Sequence, residues 1–186
     1  MKRDPVFPAT ARQRGLVAPS KFAHVVYLTS NFEALIGWYK LVFEAEVVFR
    51  NTEIAFLTYD EEHHRIAIIR APEAGVHHVA YGFESFAELL GTYERLKACG
   101  IVPFWAVNHG PTTSLYYRDP DGNQMEFQVD NFDSTAEAAA YFLTEDFARN
   151  PIGVEFEPGE LLRRLRAGEP DALLKKRPQG PASPIR

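Results

Sequence analysis

The order of elements along the chain occurs twice. A strand-like FAHVVYL is followed by a helical stretch and further strand-like segments, and the same order begins again at VHHVAYGF. Each half opens its first strand with a histidine, His24 in one and His78 in the other. A unit of this kind cannot bury its apolar face alone, so two must pack together. This predicts an α+β fold of two paired βαβββ units, over 22–71 and 76–131. Together they would form a curved, largely antiparallel sheet around a metal site, with helices on its convex side.

In the first unit we expect a strand over 22–28 and a helix capped by Ser30 or Asn31 that runs to about Leu41. Leu35, Trp38, Tyr39 and Val42 recur there at helical spacing. Strands follow near 46–50, 53–59 and 65–70. The second unit repeats this with a strand over 76–83, a helix over 86–98, and strands near 102–107, 113–118 and 123–129.

The close of the second unit is the most specific. In LYYRDPDGNQMEFQV, DPDG reads as a three-residue hairpin loop with Gly122 in the left-handed conformation. Asp119 then pairs with Asn123 and Tyr116 lies opposite Glu126, whereas a one-residue slip would present Tyr117 instead. Along the last strand Gln124, Glu126 and Gln128 share one face, while Met125, Phe127 and Val129 share the other. The apolar face suits helix packing, so Glu126 points into the concavity, where a carboxylate needs a cation or a metal. His24 shares its face with Phe22, Val26 and Leu28. His78 shares one with Val76, Ala80 and Gly82, and His77 faces the other way. A lone strand histidine is usually a hydrogen-bonded core or surface residue, and a lone strand glutamate is usually solvated. The joint placement favours metal: two imidazoles and a carboxylate are the donors of a facial iron site with open positions.

Composition removes other classes. A length of 186 residues suits one domain or two fused modules with a real core. A net charge of −5 leaves no basic face for nucleic acid. The single Cys99 allows no internal disulfide and no cysteine zinc cluster, and fits the reducing cytoplasm. It reads as a small buried hydrophobe at a helix end. Lys40, Glu44 and Glu46 interrupt the longest apolar run, so no membrane span is expected. Residues 1–21 read as a flexible arm without signal-peptide character. Residues 132–186 read as a helical extension. It would hold one helix from Ser134 to a stop at Pro151, a short amphipathic helix ending at Gly168, and a disordered end. Sheet edges and the extension lead us to expect a homo-oligomer.

HVV at His24, HHVAY at His78 and YYRDPDGNQMEF with Glu126 resemble three metal-ligand motifs of one superfamily. This is the vicinal-oxygen-chelate (glyoxalase/bleomycin resistance/dioxygenase) superfamily. Within it, residues 22–131 resemble the one-module type I extradiol catechol dioxygenases. The resemblance implies Fe(II), less often Mn(II), held by His24, His78 and Glu126, and ring opening of a catechol-type substrate with O2. EHHRIA resembles the dioxygenase stretch whose active-site histidine best matches His64, with His63 as fallback. AVNHGP resembles the segment that supplies another, here His109, and Tyr116 falls where the family keeps an active-site tyrosine. The family then implies that His64, with a pKa near the working pH, handles protons, while His109 and Tyr116 orient the ring. Phe104, Trp105 and Val107 are candidate pocket walls. Asn123 stands where members often have histidine, and the loop from His109 to Tyr116 is short. Ile66, Ala67 and Ile68 offer no fourth donor, which counts against a glyoxalase-type isomerase. Two other functions share this frame. One is a manganese-dependent thiol transferase of the fosfomycin-resistance type; the other is a metal-free drug-binding module of the bleomycin-resistance type.

Overall fold

The computed structural model of the protein describes residues 9–186. β1 (Lys21–Thr29), α1 (Phe32–Phe43), β2 (Glu46–Arg50), β3 (Ile54–Thr58) and β4 (Ile66–Arg70) form the first unit. The second unit holds β5 (Gly75–Phe83), α2 (Phe86–Ala98), β6 (Trp105–Asn108), β7 (Thr112–Arg118) and β8 (Gln124–Asp130). The extension contributes α3 (Thr135–Phe142), α4 (Glu145–Arg149), β9 (Val154–Glu155), α5 (Pro158–Arg166) and α6 (Asp171–Leu174).

All strands join one sheet in the order β2-β3-β4-β1-β5-β8-β7-β6-β9. In each unit the first strand runs parallel to the last, β1 to β4 and β5 to β8. The other pairings are antiparallel, including the β1–β5 seam between the units. The two opening histidines therefore lie on adjacent central strands.

Side-chain alternation divides the sheet into two faces. One packs under helices: Phe32, Ile36 and Tyr39 of α1 meet Ala55, Leu57, Ile66 and Ile68. Leu89, Leu90 and Tyr93 of α2, with Leu161 and Leu174 of the extension, meet Leu115, Tyr117 and Val129. The alternate residues, Phe56, Ala67, Tyr116 and Glu126, line a pocket on the other face. Ser85 starts α2 by accepting a hydrogen bond from Glu88 N at 3.2 Å, whereas Asn31 stands before α1 without such a bond. The DPDG hairpin has the expected register. Asp119 N donates to Asn123 O, Gly122 has φ of 87°, and Tyr116 pairs with Glu126.

Several expectations change. Residues 1–8 of the expected arm lie outside the described residues. Farther on, Arg12 pairs with Glu84 at 2.9 Å and Glu88 at 3.2 Å, and Ser20 N donates to Gly82 O, so this stretch lies along the second unit. Cys99 is exposed rather than buried. The single helix expected before Pro151 is two. Thr144 accepts from Phe147 N at 3.2 Å and starts a new helix, with Glu145 and Asp146 at its positive end. Residues 175–186, expected to be disordered, pack on the sheet without regular structure through a buried Ser183. Among the described residues no helix is long and apolar enough to cross a membrane.

Candidate metal centre

His24 and His78 reach the pocket through irregularities that strict alternation does not reveal. Between the pairs Phe22↔Tyr81 and Val25↔Val79, β1 carries one extra residue, a bulge at Ala23–His24. Between Val26↔His78 and Tyr27↔Val76 the extra residue is His77 on β5. A bulge bends the strand and re-aims its side chains, and bulges recur beside functional sites. Glu126 arrives from the middle of β8, next to Ala80, whose methyl group leaves it room.

The three side chains converge. One donor atom from each of His24, His78 and Glu126 lies within 4.8 Å of the others. Glu126 Oε2 stands 3.2 Å from His24 Nε2 and 3.1 Å from His78 Nε2. Both Glu126 Oε2 and His78 Nε2 are buried without a hydrogen-bond partner. Donors that close and mutually unbonded fit a shared cation. Ligands held roughly 2.1 Å from a metal at right angles stand about 3 Å apart. The site therefore fits a divalent ion of the facial two-histidine, one-carboxylate kind.

The charge state agrees. Burial pushes the Glu126 carboxyl up, but His24 and His78 outweigh it and hold it well below the usual carboxylate range. Burial, only partly opposed by Glu126, lowers the His24 imidazole. An ionised carboxylate beside a neutral imidazole is the form that binds metal.

Around the triad stand the other expected residues. His64 is buried, its ring centroid 4.3 Å from that of His24, and it stacks on Phe56 at 4.6 Å. Its Nδ1 lies 2.7 Å from His63 Nδ1, which leaves Nε2 for the pocket. The expected near-neutral titration of His64 is corrected: burial, then His24 and His63, lowers it well below the usual histidine value. His109 donates from Nδ1 to the Ile152 carbonyl, which fixes its tautomer, because a carbonyl only accepts. Its Nε2 therefore accepts from Tyr116 Oη at 2.9 Å. Burial and then Glu126 raise the Tyr116 phenol well above its ordinary value, so the hydroxyl keeps its proton.

Of the three expected walls, Trp105 lines the pocket. Phe104 does not, because the Arg118 guanidinium covers its ring at 3.7 Å. Val107 is fully buried behind Trp105 and Tyr116 as core.

Other wall residues were not singled out in the sequence. Phe56, Ile54 and Ile69 come from the first unit; Phe142, Phe147, Ile152 and Ile185 come from the extension. His77 also lines the pocket, contrary to its expected orientation, because the unpaired bulge residue escapes alternation. Its Nδ1 lies 2.7 Å from His78 Nδ1, the contact that orients a metal-binding imidazole. The HH doublet was its only signal.

Comparison with known proteins gives the family. The model of the Glyoxalase/Bleomycin resistance protein/Dioxygenase superfamily matches residues 21–127. Biphenyl-2,3-diol 1,2-dioxygenase 2 of Rhodococcus globerulus is 47% identical over 164 residues, covering 83% of this chain and 86% of that protein. Biphenyl-2,3-diol 1,2-dioxygenase 3 of the same organism is 40% identical over 167 residues, covering 84% and 88%. Among solved structures, the Mn(II)-bound glyoxalase from Novosphingobium aromaticivorans is 29% identical with a TM-score of 0.57. That match covers 66% of this chain but only 41% of the solved one. With the family model matching residues 21–127, more than half of the chain, and near full-length relatives at this identity, the chain belongs to the glyoxalase/bleomycin resistance protein/dioxygenase superfamily.

Proposed function

We propose that this extradiol ring-cleavage dioxygenase is Fe(II)-dependent and opens a biaryl catechol, biphenyl-2,3-diol or a close analogue, with O2. The carrying observation is one pocket in which the His24, His78 and Glu126 donors converge among apolar and aromatic walls. The most similar relatives named above act on biphenyl-2,3-diol, which supports the substrate class.

His24, His78 and Glu126 would hold the iron, which when bound supplies adjacent open positions for a chelated catechol and dioxygen. The protein does the rest. A catechol hydroxyl that donates to Tyr116 Oη has an onward acceptor in His109 Nε2, because the tyrosine already donates there. His64 is held at Nδ1 by His63, so its Nε2 can take or return a proton within the pocket. Phe56, Trp105, Phe142 and Phe147 exclude water and receive the rings. A homo-oligomer remains part of the reading. Trp38, Leu41, Val42 and Phe43 leave an exposed apolar strip on α1 that a second copy would cover. A monomer in sedimentation would remove that part.

Anaerobic loading with Fe(II), followed by a panel of catechols in air, tests the function. Yellow product forming with stoichiometric oxygen uptake is the expected result, strongest for biphenyl-2,3-diol. Mn(II)-loaded protein run in parallel decides the metal. Bound metal without turnover on any catechol would turn the reading to a thiol transferase, and no metal binding to a drug-binding module.

A further inference from the structure

The segment after residue 180 has no regular structure, yet it holds one of the best-bonded serines in the protein. Ser183 is 6% exposed. Its backbone N donates to Gly153 O at 2.9 Å, and its Oγ accepts from Trp105 Nε1 at 2.9 Å and donates to Glu155 Oε1 at 2.8 Å. Prolines at 181 and 184 limit the conformations lost when this stretch is held in place. Two residues on, Ile185 is 45% exposed and is the one exposed member of the pocket lining, which puts it at the mouth. The backbone of Arg186 lies against His77, and its side chain returns to Glu155 at 2.9 Å.

We infer that residues 183–186 form a strap across the pocket mouth, latched by Ser183 to Trp105, and that Ile185 sets ring selectivity. The inference rests on the proposed biaryl substrate. A catechol ring seated at His24, His78 and Glu126 occupies the polar end, so a second ring extends along the apolar lining towards the mouth. Ile185 offers that ring a branched aliphatic contact, and a single-ring catechol does not reach it. Trp105 couples the two parts. Its indole NH holds the latch while its ring lines the pocket, 4.4 Å from the Tyr116 ring.

The test compares anaerobic binding of biphenyl-2,3-diol and of unsubstituted catechol to Fe(II)-loaded wild type, Ile185→Ala and Ser183→Ala, with kcat/KM for both diols in air. Ile185→Ala should weaken biphenyl-2,3-diol about 10-fold, as expected for losing part of an aliphatic side chain that the second ring would cover. Catechol binding should change less than about 2-fold. Ser183→Ala, which touches no substrate, should shift selectivity in the same direction and speed hydrogen exchange at the amides of residues 183, 185 and 186, with His24, His78 and Glu126 untouched. Unchanged selectivity in Ile185→Ala, with wild type binding both diols, overturns the strap's role alone. Equal weakening of both diols overturns it too, since that is a general loss of structure. A wild type that binds neither diol overturns the functional reading, and this subsite with it.

Discussion

Glu126 is 1% exposed and its Oε2 has no hydrogen-bond donor. An ionised carboxylate in that state costs several kcal/mol unless a cation takes it up. His64 is buried beside it but keeps its hydrogen bond to His63, so it is complete without metal. The two residues should separate under mutation. Glu126→Ala should lose iron on desalting, whereas His64→Phe should retain it and lose about 10²- to 10⁴-fold in turnover. Iron content and oxygen uptake on the same samples read both, and equal iron loss would end the division of roles. A different residue reports on pH. Burial raises the Asp130 carboxyl, but His63 at 3.7 Å and Lys21 at 3.1 Å outweigh it and hold it at about 2, below 3.8. A depressed carboxyl stabilises the fold above its unfolded value and loses that contribution as pH falls through its folded value. Asp130→Asn should therefore lower stability at neutral pH, by no more than about 1 kcal/mol for a side chain this exposed. The difference should shrink as pH falls below about 4 and be gone only below about pH 2. A urea midpoint difference that persists there would show that Asp130 acts through something other than charge.

The extension holds His109 from outside the paired units. Ile152 offers its carbonyl from a turn closed by Asn150, whose Oδ1 accepts from Gly153 N at 2.8 Å. Gly153 has φ of 110°, and a Cβ there would meet Asn108 O at 2.3 Å. Gly153→Ala is therefore expected to cost more than about 2 kcal/mol, from strain and a direct backbone clash. If folding survives, kcat should fall more than iron content, because the turn no longer holds the His109 tautomer. Wild-type melting and kcat would refute the arrangement. This contact was not legible in the sequence, and the reason is general. Alternation and turn chemistry are local, so they located β8, the DPDG hairpin and the Tyr116–Glu126 pair correctly. Bulges and long-range docking are not local. His77 was turned the wrong way because nothing near it marks an unpaired residue. The break at Thr144 was missed because the segment is helix-forming throughout. The break matters to the site. On one continuous helix Phe142 and Phe147 would point about 140° apart, whereas here both face the pocket.

For the whole molecule, the proposed metal site bears on the stability of the sheet. His24 lies on β1, His78 on β5 and Glu126 on β8, so the donors span the seam between the units and the neighbouring strand. An ion bound there ties both units together and binds only when they are docked, since the unfolded chain has no such site. Linkage then adds RT ln(1 + [M]/Kd) to stability, about 2.7 kcal/mol at 100 times Kd. For a chain of this length that is roughly 5–10 °C in melting temperature. Fe(II) or Mn(II) added anaerobically to chelator-treated protein should raise the melting temperature by this amount, in a concentration-dependent way. Glu126→Ala should show no such shift. If metal left the wild-type melting temperature unchanged, the three donors would not be holding the two units together, and their convergence would have to be explained by packing alone.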